Sequence, residues 1–334
     1  MSDGKGEGDL LVADIGGTNA RFALARAVDG GFDISPPSVF LTADYPTMEV
    51  ALRTFLKEAG APRLSGVAAC AAGPLEGEGP SARISMTNCP WNVSVENLGS
   101  VTGVAHPRLI NDFSALALSL PALREEELHA VGPALTPVPR APKGVLGAGT
   151  GLGASALVFG AHEEIALPGE GGHTDLAAGN AREAEILSRL QARFGHVSVE
   201  RVLSGPGIVT LYTALAEIEG KPVPSLTPPD ITARARTRED ALAVEAIELF
   251  CGWLGAVAGN LALTLGARGG IYIGGGIVPG WVSRGDGLFN EEIFRLRFEA
   301  KGRFSAWLAA VPVFVILRSD AALLGLARIA RAEP

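Results

Sequence analysis

The feature that most limits this chain is a glycine turn set between two apolar strands, and it occurs twice. Residues 10–15 form a short apolar run ending in Asp14-Ile15-Gly16-Gly17-Thr18-Asn19, after which Arg21-Phe22-Ala23-Leu24 alternates polar and apolar. Residues 144–146 lead likewise into Gly147-Ala148-Gly149-Thr150-Gly151-Leu152-Gly153, and 154–159 read as a returning strand. A third strand over 270–273 ends in Gly274-Gly275-Gly276. These are strand patterns by their period and their punctuation. Glycine lets the backbone approach a ligand closely and adopt positive φ. Successive amides in such turns make a concavity that favours anions. Each cluster taken alone is equally a plain hairpin turn. Together they point to a polyphosphate, and the likeness of the first two suggests two related halves.

Two rival phosphate motifs fail. A Walker A loop needs G-x-x-x-x-G-K-[ST], and no cluster here supplies its lysine. The dinucleotide fingerprint G-x-G-x-x-G/A is matched by Gly149, Gly151 and Ala154, with Glu170 near the expected acidic position. That fingerprint must open a helix, whereas Ser155-Ala156-Leu157-Val158-Phe159 reads as a strand. What remains is a turn between strands. Asp14 puts a carboxylate beside the first one, where it would hold Mg²⁺ through water, and Thr18 and Thr150 offer hydroxyls to phosphate oxygens.

The rest of the chain supplies an α/β frame. Helical spacing runs over 48–59, 113–120, 183–194, 240–266 and 321–331, with strands over 67–72, 108–110 and 311–317. Residues 133–142 and 221–229 are proline-rich and read as loops. With 334 residues the chain suits two domains or one large α/β unit. The longest apolar stretch, 249–265, is broken by Asn260 and short of the roughly 20 residues a span needs. It reads as a buried helix, with Gly255 and Gly259 for close packing, and no membrane association is expected. A net charge of −8 without a basic run excludes a nucleic-acid footprint. Cys70, Cys89 and Cys251 form no C-x-x-C pair, and the polar N-terminus is no signal peptide, so a reducing, cytoplasmic compartment is expected.

Three polar constellations complete the reading. Asn111-Asp112 follow an apolar strand and precede an apolar helix. Asp112 is there either a helix cap or a general base taking a proton from a hydroxyl as a phosphoryl group arrives. In Pro168-Gly169-Glu170-Gly171-Gly172-His173, glycines disfavour the helix that a Glu-x-x-His metal pair requires, so Glu170 and His173 suit a polyol. Glu200-Arg201 opens the third, and alone it is equally a surface pair. His106, His129, His162 and His196 read as structural or exposed.

Six segments together resemble the bacterial glucokinase family: Asp14 to Arg21, Ile110 to Phe113, Gly147 to Gly153, Leu167 to His173, Glu200 to Gly207 and Gly274 to Pro279. They occur in the family's order across residues 10–324. The resemblance implies a two-domain actin-like (ribonuclease-H-like) sugar-kinase fold closing over a cleft. Residues 1–120 with 314–334 would form the smaller domain and 121–313 the larger. It implies ATP and Mg²⁺ as cofactors, glucose as substrate, phosphorylation at the 6-hydroxyl, and a homodimer. By position Asp112 would be the catalytic base, and Asn111, Asp112, Glu170, His173 and Glu200 would bind the sugar. Ala13, Asp14, Ile15, Gly16, Gly17 and Thr18, with Gly149, Thr150 and Gly151, would hold phosphates. Gly275 and Gly276 would lie near the adenosine. Thr87, Asn88 and Trp91 resemble a family segment without an assigned role. The C-x-C-G zinc motif of the related repressor-kinase group is missing. A kinase for fructose, mannose or an amino sugar remains open, as does a non-catalytic sugar sensor on the same fold.

Overall fold

A computed structural model describes residues 8–86 and 89–330. The chain divides into two compact units, one running to Leu123 and resuming at Ser319, the other spanning Arg124–Arg318.

The first unit carries β1 (Asp9–Ile15), β2 (Asn19–Val28), β3 (Gly31–Ile34), β4 (Ser38–Leu41), α1 (Met48–Glu58), β5 (Leu64–Ala71), β6 (Arg83–Ser85), β7 (Asn92–Ser94), α2 (Val95–Thr102), β8 (Arg108–Asn111) and α3 (Asp112–Ser119). Its main sheet runs β3-β2-β1-β5-β8, with β4 also on β2 and the β6–β7 hairpin apart. The first three strands are antiparallel neighbours, and β5 and β8 run parallel to β1. β1 is apolar at nearly every position because both its faces are covered, as expected of a central strand in a partly parallel sheet. Leu11, Ala13 and Ile15 pack with Phe22, Met48 and Leu52 on the α1 side. Leu10 and Val12 pack with Leu323 and Leu326 on the other.

The second unit carries β9 (Leu128–Ala130), β10 (Lys143–Ala148), β11 (Leu152–Phe159), β12 (Glu164–Gly169), α4 (Ala181–Phe194), α5 (Gly205–Ile218), α6 (Pro228–Thr237), α7 (Ala241–Leu265), β13 (Ile271–Gly275), α8 (Ile277–Arg284), α9 (Glu291–Glu299), α10 (Ser305–Ala309) and β14 (Val313–Ile316). Its sheet order is β12-β11-β10-β13-β14-β9. Up to β14 this repeats the first unit: an antiparallel meander of three strands followed by two parallel ones. The two related halves suggested by the glycine clusters are therefore present as topology. α11 (Ala321–Ile329) follows in the first unit and covers its sheet beside α3.

Two local readings change, and one strand is added. The return point expected at 314 falls inside β14, whose register with β13 pairs Tyr272 with Phe314. The strand belongs to the second unit, and the division comes at Arg318/Ser319. The proline-rich stretch expected as a loop to 229 already begins α6 at Pro228. Proline is tolerated in the first helical turn, where its missing N–H has no intrahelical partner, and Thr227 and Asp230 form a capping box there. The added strand is β12, which forms one edge of the sheet over 164–169.

α7 is buried along most of its length. Gly255 and Gly259 lie under α9: a Cβ on Gly255 would overlap the Phe294 carbonyl, and one on Gly259 the Phe298 carbonyl. The close-packing reading of that G-x-x-x-G holds.

Candidate active site

In the first unit the polar residues gather at the C-terminal ends of parallel strands, where ligands of open α/β sheets bind. Asp14 continues the Leu10–Val12 face of β1 and pairs in register with Cys70 on β5; Cys70 in turn pairs with Ile110 on β8. Asp14 and Ile110 are thus two strand spacings apart, about 10 Å. The Arg21 guanidinium donates to Asp14 Oδ2 at 2.9 Å, and the Cys70 thiol points at Asp14 Oδ1 at 3.6 Å. The Cys70 thiol is pushed well up, by burial first and then by the charges of Asp14 and Asp112. Sequence reasoning gave Cys70 no role. What signals one is the tertiary placement of two carboxylates around it.

Asn111 settles the cap question. Its Oδ1 accepts from Phe113 N at 2.9 Å and Ser114 N at 3.3 Å, while its Nδ2 donates to the Gly73 carbonyl at 3.1 Å. Asn111 is therefore the N-cap of α3, and Asp112 is its first helical residue. Asp112 Oδ1 also accepts from Phe113 N at 2.9 Å. The positive end of the helix dipole favours a carboxylate at that place.

The first glycine turn closes with Gly16 N donating to Asn19 O at 2.9 Å and is held from outside by Thr42, whose hydroxyl reaches Gly17 O at 2.8 Å. Among the described residues the Gly17 and Thr18 amides meet no protein acceptor. Ala13 and Ile15 are fully buried in the core, so only their backbone is left for a ligand. Trp91 is buried, its indole donating to Tyr45 O at 3.0 Å; Thr87 and Asn88 lie outside the described residues.

In the second unit the second glycine turn and the two polar constellations at Glu170-His173 and Glu200 come together. Glu170 and His173 sit on the turn after β12, both exposed. Gly172 is buried there, because a Cβ would overlap the Leu152 carbonyl of β11. The 171–173 turn packs against the 199–201 turn that carries Glu200. Glu200 Oε2 accepts from Leu152 N at 2.8 Å, and Gly205 N donates to Gly149 O at 2.8 Å. The segment from Glu200 to Gly207, weak as a sequence signal, is thus bonded at two points to the Gly149–Gly151 turn.

That turn faces a groove of about 570 Å³. Three helices start on the groove: α5 at Gly205–Pro206, α6 at Pro228–Pro229 and α8 at Ile277 next to Gly276. Helix N-termini present free N–H groups and a positive dipole end, which suits phosphate. Arg236 and Arg284 line it as well. Neither arginine nor the prolines was expected, because only the fold brings them beside Thr150. Gly275 has φ +77° and would clash through a Cβ with the Ala148 backbone, and Gly147 is equally tight against Gly274. Part of the glycine content thus serves the close approach of β10 and β13, while Gly276 is open.

No group of three His, Cys, Asp or Glu side chains among the described residues forms a metal cage. With about four lone-pair sites on its carboxylate and two engaged, Asp14 keeps acceptor capacity for a metal-bound water.

The cysteines yield a prediction. All three are buried, and burial pushes Cys251 up to about 12. A folded thiol that keeps its proton above the usual range near 8.5 is inert at pH 8. We expect Cys70 and Cys251 not to react with Ellman's reagent at pH 8 in the native protein, and both to react in denaturant. By linkage, the folded state loses stability as pH rises past that usual range, which a pH series of melting temperatures checks.

Comparison with known proteins follows the same lines. The sequence profile of the family described as Glucokinase matches residues 11–333. The chain is 49% identical over 317 residues to a glucokinase of Chromobacterium violaceum, covering 95% of this chain and 88% of that one. It is 43% identical over 315 residues to a glucokinase of Citrobacter koseri, covering 94% of each. Among solved structures, glucokinase from an Antarctic psychrotroph superposes with a TM-score of 0.84 at 36% identity, over 96% of this chain and 98% of that one. A ROK-family glucokinase from Streptomyces griseus, in complex with glucose and AMPPNP, has a TM-score of 0.61 at 19% identity, over 97% and 99%, a likeness of fold.

Proposed function

The chain belongs to the glucokinase family, and on that premise we propose how its own residues carry out ATP-dependent phosphorylation of glucose to glucose 6-phosphate. Asp112 accepts the proton of the sugar 6-hydroxyl as that oxygen attacks the γ-phosphorus of ATP, and the bond from that phosphorus to the β,γ-bridging oxygen breaks to release ADP. Asn111, capping the same helix, fixes where Asp112 stands. Glu170, His173 and Glu200 take the other hydroxyls, acting as acceptors or donors as each hydroxyl requires. The free amides of Gly17, Thr18, Thr150 and Gly151 hold phosphate oxygens, with both threonine hydroxyls. The adenosine side of ATP occupies the groove at Gly276, flanked by Arg236 and Arg284. Mg²⁺, when bound, would supply charge neutralisation, and Asp14 is the residue that would hold it. Catalysis rests on positioning and on preorganised charge.

The observation that carries this reading is the bond from Leu152 N to Glu200 Oε2. It makes the residue at the end of the phosphate turn and a member of the sugar set parts of one hydrogen-bonded body. Replacing Glu200 by Gln keeps an acceptor and removes the charge, so KM should rise for glucose and stay near normal for ATP. Replacing it by Ala also frees Leu152 N, so KM should rise for both substrates. Equal behaviour of the two variants would detach Glu200 from the turn.

The direct test is ADP release with a panel of glucose, fructose, mannose and glucosamine. Glucose should give the highest kcat/KM. A stronger response to another hexose would reassign the substrate, and sugar-independent ADP release would remove the kinase reading. We also propose a homodimer and a cytoplasmic location. Sedimentation velocity should then give twice the 34.4 kDa chain mass.

A further inference from the structure

The second unit contains a cavity of about 500 Å³ that the reaction above does not use. Its wall is formed by the Gly171–Thr174 stretch that holds His173, by the 174–179 segment and by α7, and α9 closes it at Arg297. The lining combines apolar side chains, among them Leu152, Leu176, Trp253 and Leu261, with polar ones, Asn260, Arg297 and Lys301. Volumes of 300–1,000 Å³ with an apolar body and a few convergent polar groups are typical of small-molecule sites.

The polar side chains carry more positive charge than their partners offset. Arg297 donates to the buried Glu183 at 2.8 Å, and that carboxylate also accepts from Gly179 N and Asn180 Nδ2. The Nε–H of Arg297 is buried and meets no acceptor among the described residues. Lys301 donates to the Ala256 carbonyl at 3.0 Å and to Asn260 Oδ1 at 2.6 Å, both neutral, which leaves one of its three N–H groups. Burial, and then the Arg297 charge, hold Lys301 below the usual ammonium range. The carboxylate lining the cavity is Asp175, which is 91% exposed and paired with His196. A buried N–H without an acceptor and an ammonium without a counter-charge are costly unless something supplies both. A small anion does so.

We propose that this cavity binds a small amphipathic anion, a carboxylate or phosphate monoester on a compact apolar body, and that binding there alters sugar affinity. The head group would take the free donors of Arg297 and Lys301, and the body would lie against Trp253 and Leu261. The effect on sugar follows from position: the turn between Glu170 and Thr174 is at once the cavity wall and the carrier of two residues of the sugar set. That second statement rests on the roles proposed for Glu170 and His173; the binding statement does not.

Octanoate, phenyl phosphate, 1-octanol and inorganic phosphate are the probes, titrated into the full-length protein by calorimetry, with glucose KM measured alongside. We expect octanoate or phenyl phosphate to bind, and 1-octanol and inorganic phosphate to bind at least about tenfold more weakly, as each lacks half of the recognition. Lys301→Met should weaken the anion about tenfold, and Ala256→Leu, which fills the cavity, should abolish binding. Melting temperatures establish that both variants are folded. Glucose KM should shift with octanoate in the wild type and not in Ala256→Leu. No heat with either anion overturns the proposal, and so does affinity untouched by both substitutions; a second copy of the chain sealing the cavity would give the first of these. Binding without a change in KM retains the site and removes its link to the sugar set.

Discussion

Asp112→Asn should lower kcat by about 10²–10⁴-fold, the range that a general base supplies, while glucose KM changes little. The melting temperature should stay close to that of the wild type. This pairing of outcomes follows from the α3 terminus. Asn111, not Asp112, accepts from the Ser114 amide, and the Phe113 amide keeps the Asn111 acceptor when Asp112 is replaced. An isosteric amide at Asp112 therefore removes a base without removing the cap. Asn111→Ala should do the opposite on stability, costing about 1 kcal/mol through the lost cap, and it should lower kcat as well because the helix start that carries Asp112 loosens. The two variants in a coupled ADP assay with parallel thermal melts separate the roles. If Asp112→Asn retains near-normal turnover, the base lies elsewhere; if it melts well below the wild type, Asp112 is mainly structural.

Gly255→Ala should produce a large loss of stability from a single added methyl. The new Cβ would fall on the Phe294 carbonyl, and backbone cannot rotate away as a side-chain tip can. α9 must lift off α7. Overpacking of this kind costs about 1–3 kcal/mol, or a drop of several degrees in melting temperature at about 2–4 °C per kcal/mol for a unit of this size. Gly252→Ala is the internal control. It lies one turn earlier, where a Cβ would meet only the Arg297 and Ile293 side chains at an ordinary 3.5 Å. An equal loss at Gly252 and Gly255 would mean that helix propensity rather than close approach sets the cost. Because Arg297 and Lys301 lie at and just beyond the end of α9, Gly255→Ala should also disturb the cavity.

Much of this protein was readable from local pattern. A strand, a glycine turn and a strand are set by residues within about ten positions of one another, so both turns, the strand-to-helix step at Asn111-Asp112 and the long buried helix were all found in the sequence. The helix hidden behind Pro228-Pro229 was missed because proline is read as a breaker, although in the first helical turn it breaks nothing. The start of α11 was legible, but which unit β14 belongs to was not, since only its pairing with β13 decides that.

The tertiary structure decided which partners several residues have. Sequence could not say which of Asn111 and Asp112 caps α3; the hydrogen bonds make Asn111 the N-cap and Asp112 the first helical residue. Glu200 looked like half of a surface pair until Leu152, 48 positions earlier, was found donating to it. Cys70 carried no signal at all, and its place between Asp14 and Asp112 exists only because β1, β5 and β8 lie side by side. The physical reason is the same in each case. Backbone conformation and burial pattern depend on near neighbours and leave a periodic trace in the chain. Hydrogen-bond partners, close backbone approaches and shared electrostatic surroundings join positions far apart, and they leave no such trace until the sheet and its helices are assembled.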